Sequence, residues 1–356
     1  MALFRKTQPS FLSLNWLSRP SGNCLYTKCL SYGNPLCAAT TRSVTTKPAH
    51  ESHLHYEELI FKPQIATPSS EPPRVAVILH GLLGSGRNWR SFTRALGAVV
   101  TSPEFHSDGR GWRFLLMDQR NHGKSAHRKH AAPHTLSTAA QDLHHTLHAC
   151  TPDMLIGHSL GGKVALEYLK VLRDAQRPMP RTTWVLDSMP SVVHGDPHTA
   201  RQTIDTLKKL PQPVPSRQWL GDYMRERGFA PLVIDWVATN LVEAVGEKPG
   251  GSLVWAFNVD GCEDMYNSYA DNCMWEVLET PAAHSRVEIV RAEKSLPWPQ
   301  DVEKKMHEVA AKSPSVRVHL LPKSGHWVQM DNPKGLIEIM APSFQAKADR
   351  GERERH

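Results

Sequence analysis

Leu155-Ile156-Gly157-His158-Ser159-Leu160-Gly161-Gly162-Lys163-Val164-Ala165 decides how the rest of the chain is read. The apolar lead from Met154 to Ile156 has the character of a buried strand. After the glycines, Leu160, Val164, Ala165, Tyr168 and Leu172 fall on one face at helical spacing. Between them lies G-x-S-x-G, with Ser159 at its centre. A strand-to-helix turn this tight strains the central residue, and Gly157 and Gly161 remove the side chains that would collide there. Ser159 is thereby predicted to stand clear of the backbone at a helix N-terminus, where the dipole favours developing negative charge.

Working outward, apolar and β-branched runs alternate with helical patterns. Strands are predicted over Tyr56 to Phe61, Arg74 to His80, Trp112 to Met117, Thr182 to Leu186, Val287 to Arg291 and Val316 to Leu321. Helices are predicted from about Asn88 to Val99, Leu136 to Ala149, Asp301 to Ala311 and Pro333 to Phe344. From about 191 to 281 the alternation breaks into helix-like stretches with no convincing strand. That interval carries Trp219, Trp236, Trp255, Trp275, Met224, Met265, Met274, Tyr266 and Tyr269. The expected fold class is α/β: a doubly wound, mostly parallel sheet with a helical cap inserted after the strand that ends at Asp187. In such sheets sites form beyond the carboxyl ends of the strands. The cap aromatics and methionines read equally as an apolar acyl pocket or as the cap's own core.

A serine hydroxyl needs a base within reach, and the base needs an orienting acid. His326, just past the last strand in Ser324-Gly325-His326-Trp327, is the candidate base. Two residues compete for the acid. Asp187 ends the strand after the one that leads into Ser159; Glu293 follows the later strand and is itself followed by Lys294. Asp187 is preferred, with Glu293 the alternative. Asp118 also ends a strand but precedes the serine, and it reads as a loop-holding ion pair among Arg120 and His122. Oxyanion charge needs two backbone donors, for which the N–H groups of Leu160 and of Leu82, in the glycine-rich loop His80 to Gly86, are the candidates.

HGLLGSGRNW at 80–89, DQRNHGKS at 118–125, GHSLGGKVA at 157–165, LDSMP at 186–190 and SGHWVQMDNPKGL at 324–336 together resemble the α/β-hydrolase fold family. Within it they are similar to the esterase branch that includes abhydrolase domain-containing protein eleven, small bacterial esterases and plant organellar homologues. The resemblance covers roughly residues 56 to 345. It implies cleavage of carboxylic esters, of small or lipid type, through an acyl-enzyme, with the acid at the position of Asp187. A thioesterase, a C–C bond hydrolase of the same fold and a receptor that keeps the triad as a pocket are the competing expectations. A serine at 159 excludes the aspartate-nucleophile chemistries.

The composition narrows the partners. The net charge is +7, but six of the 42 Lys and Arg residues (Arg5, Lys6, Arg19, Lys28, Arg42, Lys47) fall within residues 1–50, which contain no acid. Against 35 Asp and Glu the remainder is nearly neutral, so no nucleic-acid partner is expected. The basic, Ser/Thr-rich and acid-free residues 1–50 predict a disordered transit peptide, with 51–356 as the folded domain and a mature start between about Ser43 and Tyr56. Arg5-Lys6 leans to mitochondrion over plastid. No run is long and apolar enough to predict a transmembrane segment. Cys24, Cys29 and Cys37 lie in the leader; Cys150, Cys262 and Cys273 are too widely spaced for a disulfide scaffold or a zinc site. The 20 histidines show no ligand spacing, so no metal or cofactor is expected and the substrate is the partner. The sequence leaves the oligomeric state open.

Overall fold

A computed structural model describes residues 40–44, 53–64, 69–105, 108–128, 130–193, 200–244, 251–345. The chain divides into residues 1–36, all outside the described set, and a unit spanning residues 37–356. Within the latter the strands are β1 (Thr40–Val44), β2 (His55–Phe61), β3 (Arg74–Leu79), β4 (Trp112–Asp118), β5 (Met154–His158), β6 (Thr182–Leu186), β7 (Leu241–Glu243), β8 (Leu253–Trp255), β9 (Arg286–Ala292) and β10 (Val316–Leu321). The helices are α1 (Arg90–Val100), α2 (Leu136–Thr146), α3 (Leu160–Asp174), α4 (Ala200–Leu207), α5 (Arg217–Glu226), α6 (Pro231–Ala238), α7 (Val259–Asp271), α8 (Trp275–Glu279), α9 (Gln300–Lys312), α10 (Val328–Asp331) and α11 (Pro333–Met340).

Eight of these strands form one sheet in the order β1-β2-β4-β3-β5-β6-β9-β10. β2 runs antiparallel to β1 and β4, and the pairs from β4 to β10 are parallel. Its interior strands β3, β4, β5 and β6 are buried on both faces, which is why they read as mostly apolar runs. Along β3, Val75, Val77 and Leu79 face a layer built on α2, α3 and α9, including Leu143, Tyr168 and Met306. Ala76 and Ile78 face the opposite layer, with Trp89, Phe92 and Leu96 on one side and Leu336, Met340 and Phe344 on the other. Each buried Val, Leu or Ile in these layers contributes on the order of 1.5–3 kcal/mol relative to exposure.

The interval after β6 is helical, as the sequence predicts, with one correction. β7 and β8 pair antiparallel as a small hairpin inside the cap. Each is three residues long, too short to show an alternating pattern. The cap has its own core, with Leu207, Leu220, Met224, Ile234, Trp255 and Phe257 packed on Leu83. Met265, Met274 and Trp275 instead join the core beneath α3. Most of the cap's large apolar residues are therefore structural; Trp236 and Trp327 stay half-buried, with ring centroids 5.8 Å apart.

The margin of the sheet supplies a second correction. Residues 40–44, read from composition as part of a disordered leader, form β1 in register with Tyr56 to Ile60. The remainder of the proposed leader lies outside the described residues. Among the described residues no helix is long and apolar enough to cross a membrane, and no group of three or more metal-ligating side chains occurs.

Candidate active site

Ser159 sits between β5 and α3 with φ 51° and ψ −119°. A non-glycine residue holds that conformation only when its surroundings over-determine it. The Ser159 N–H donates to Leu186 O at 3.0 Å, and Ser159 O accepts from Gly162 N–H at 2.8 Å. The Ser159 side chain makes no capping bond, which leaves the hydroxyl available. The glycines are required by contact. A Cβ on Gly157 would stand 2.1 Å from Gly161 O, and one on Gly161 would stand 2.6 Å from the carbonyls of both Leu79 and His80.

Asp187 follows β6, with φ 44°. Its N–H donates to Val290 O, and its Oδ1 accepts the Ala292 N–H at 2.9 Å, so β9 fixes the carboxylate. Its Oδ2 lies 2.7 Å from His326 Nδ1, with the Asp187 side chain buried and the His326 side chain 44% exposed. Burial pushes the Asp187 pKa up, but hydrogen bonds from His326, Ser295 and the Ala292 N–H, with the His326 charge, outweigh it and leave the group below its ordinary value. The Glu293 side chain is exposed and turned elsewhere: its Oε2 accepts the Lys323 N–H at 2.6 Å. The structure thus brings His326 to Asp187, and Glu293 to the backbone of the loop that carries His326.

Three buried histidines organise the loops around Ser159. His158 Nε2 donates to His326 O at 2.7 Å, and the two rings lie 4.8 Å apart. His80 Nδ1 donates to Gly81 O at 2.7 Å, while its Nε2 accepts the Gln119 N–H at 3.1 Å. His122 Nδ1 donates to Arg120 O at 2.8 Å, and its Nε2 accepts the Leu83 N–H at 3.0 Å. The bonds accepted by His80 and His122 need neutral rings, and all three rings are held neutral. Burial does this, lowering the His80 pKa and drawing His122 and His158 down to about 3, the latter helped by His326.

The same bonds select the donors in the glycine-rich loop. Leu83 N–H is held by His122, and Gly84 N–H by Gly81 O. Among the described residues the N–H groups of Leu82 and Leu160 have no hydrogen-bond partner. Asp118 braces the loop, as expected of it, but by other partners. Its oxygens accept the N–H groups of Gly86 and Lys124, each at 2.9 Å, and lie 3.1 Å from His55 Nδ1. Arg120 pairs instead with Asp142 at 2.7 Å, both buried, and ties the end of β4 to α2. Sequence reasoning passed over His158, Gln119 and Lys163 as partners in this architecture. Their signal lay in the motifs at 118–125 and 157–165, but a motif does not say which backbone group a side chain will meet.

A family model for the alpha/beta hydrolase family matches residues 76–339. The chain is 27% identical over 281 residues to mouse (Mus musculus) "sn-1-specific diacylglycerol lipase ABHD11", covering 76% of this chain and 80% of that protein. The zebrafish (Danio rerio) protein of the same name is 26% identical, covering 76% and 78%. Among solved structures, a marine microorganism esterase superposes with a TM-score of 0.62 at 22% identity, covering 81% of this chain and 98% of that one, a likeness of fold.

Proposed function

The chain belongs to the alpha/beta hydrolase family, and from that premise we propose that it is a serine hydrolase of carboxylic esters working through an acyl-enzyme. The observation that carries this reading is the 2.7 Å bond between Asp187 and His326 beside the strained turn at Ser159. Asp187 accepts the Nδ1 proton of His326, which leaves Nε2 as the base. Nε2 takes the Ser159 proton as Oγ attacks the ester carbonyl. The N–H groups of Leu82 and Leu160 receive the charge on the carbonyl oxygen. Collapse returns the proton from His326 to the departing alcohol, and a water deprotonated by His326 then releases the acid and restores Ser159.

The proposed substrates are esters with an apolar acyl chain. The half-buried Leu82, Trp236 and Trp327 at the edge of the cap support this reading, and so do the relatives named as diacylglycerol lipases. The composition of residues 1–50 supports placement in an organelle, mitochondrion before plastid. A fluorophosphonate probe and a panel of p-nitrophenyl esters test the chemistry. Labelling and turnover are expected in the native chain and neither in Ser159→Ala, with a rate loss on the order of 10⁴- to 10⁶-fold and the fold retained. Turnover that survives in Ser159→Ala rejects the assignment.

A further inference from the structure

Lys163 lies four residues past Ser159, in the first turn of α3, and it is fully buried. A cation there opposes the dipole of its own helix, so its burial needs compensation from elsewhere. No carboxylate among the described residues pairs with it. Its Nζ instead donates to three backbone carbonyls: Ser191 O at 2.8 Å, Tyr269 O at 2.6 Å and Asn272 O at 2.7 Å. The ammonium also stands 4.4 Å from the centre of the Tyr269 ring. Three N–H donors thus meet three acceptors. Two of these belong to the C-terminal end of α7, where carbonyls lack helical partners and the dipole favours a cation.

The position of the acceptors gives the arrangement its meaning. Ser191 is where the chain leaves the sheet for the cap, and 269–272 is where the cap's long helix ends on the way back. The two stems are joined to each other by Val193 N–H to Ala270 O at 2.9 Å and Met274 N–H to Pro190 O at 2.7 Å. Lys163 fastens that joined pair to the helix that begins at Ser159. We propose that Lys163 is a positioning residue, a latch that holds both stems of the cap on the elbow helix and so sets the cap's closure over the acyl chain. It touches no reacting atom, and the acyl-chain part rests on the esterase reading above.

A small acyl group needs only Ser159 and the oxyanion donors, whereas a long chain needs the cap as well. Lys163→Met keeps the length of the side chain and removes its donors. It should raise KM for a p-nitrophenyl decanoate about tenfold or more, while kcat/KM for the acetate stays within about threefold. Amide exchange at Val193 and Met274 should accelerate while β5 stays protected. Equal losses on both esters, or exchange unchanged at the stems, overturns the latch. The exchange measurement tests the latch even if no ester is turned over, so its failure is separate from failure of the hydrolase reading. Should Lys163→Met not fold, the native protein supplies the test by nuclear magnetic resonance. Couplings across the hydrogen bonds from Lys163 Nζ to the carbonyl carbons of Ser191, Tyr269 and Asn272 are expected near pH 6, where the amine is charged, because burial draws its pKa down to about 7. Their absence rejects the proposal.

Discussion

Asp187 and Glu293 both follow strands of the same sheet, and at the scale of single residues only their partners separate them. Asp187 is gripped by β9 through Ala292 N–H and offers its free oxygen to His326; Glu293 closes a loop through Lys323 N–H. Asp187→Asn should therefore leave His326 in the wrong tautomer and cost on the order of 10⁴ in kcat. Glu293→Gln keeps an acceptor for Lys323 N–H and should cost less than about tenfold by the same reasoning. Steady-state kinetics on the two variants decide between them; rates in the reverse order would move the acid to Glu293. The sequence narrowed the acid to these two and favoured the one that the geometry joins to His326. It could not separate them by position in the sheet, since that depends on how the loop at 322–326 folds back.

At the scale of elements, the interior strands were legible because a strand buried on both faces must be apolar throughout, and the edge strand β10, exposed at Arg317 and Leu320, because its β-branched residues alternate with polar ones. Thr182–Leu186 and Val316–Leu321 are placed residue for residue, and the helical face of α3 from Leu160 to Leu172 is buried as its spacing demands. What failed to register was short or held by backbone. β7 and β8 owe their pairing to the cap around them, and the helix expected from Asn88 opens as a 3₁₀ turn at Gly86–Trp89 before α1 begins at Arg90. The hydrogen bonds that brace the glycine-rich loop from His122 and Asp118 end on main-chain atoms, which carry no residue-specific pattern. The contact between α3 and the end of β3 is equally invisible in sequence but easily tested. Gly161→Ala places a methyl against two carbonyls that cannot swing aside. Overpacking of that kind should cost about 1–3 kcal/mol in denaturant unfolding. Displacement of the elbow by even ~1 Å should cost about 100-fold in turnover. An alanine variant with native stability and rate would show that the elbow tolerates the shift.

For the molecule as a whole, the buried neutral histidines set its response to acid. His122 and His158, with pKa values of about 3, remain unprotonated in the folded chain, whereas unfolded histidine takes up a proton near its ordinary pKa of about 6.5. The unfolded state then binds more protons between those values, so stability is complete above about pH 6.5 and falls as the pH drops toward 3. Each such group adds about 1.4 kcal/mol per pH unit to the slope inside that window. Urea unfolding at a series of pH values from 7 to 4 should report an uptake of at least about two protons. A flat profile would mean that these rings are charged in the native state. The margin of the sheet carries a different consequence. β1 covers the outer side of β2 over Tyr56 to Ile60, and a leader cut between Ser43 and Tyr56 would take that cover away. The N–H and C=O groups of β2 would then face solvent along a ready-made template for a foreign strand. Glu57 and Glu58, held by Arg90 and Arg113, are the charges left to discourage such pairing. If the proposed leader is removed there, the cut would turn a self-capped sheet into one able to add strands from its neighbours.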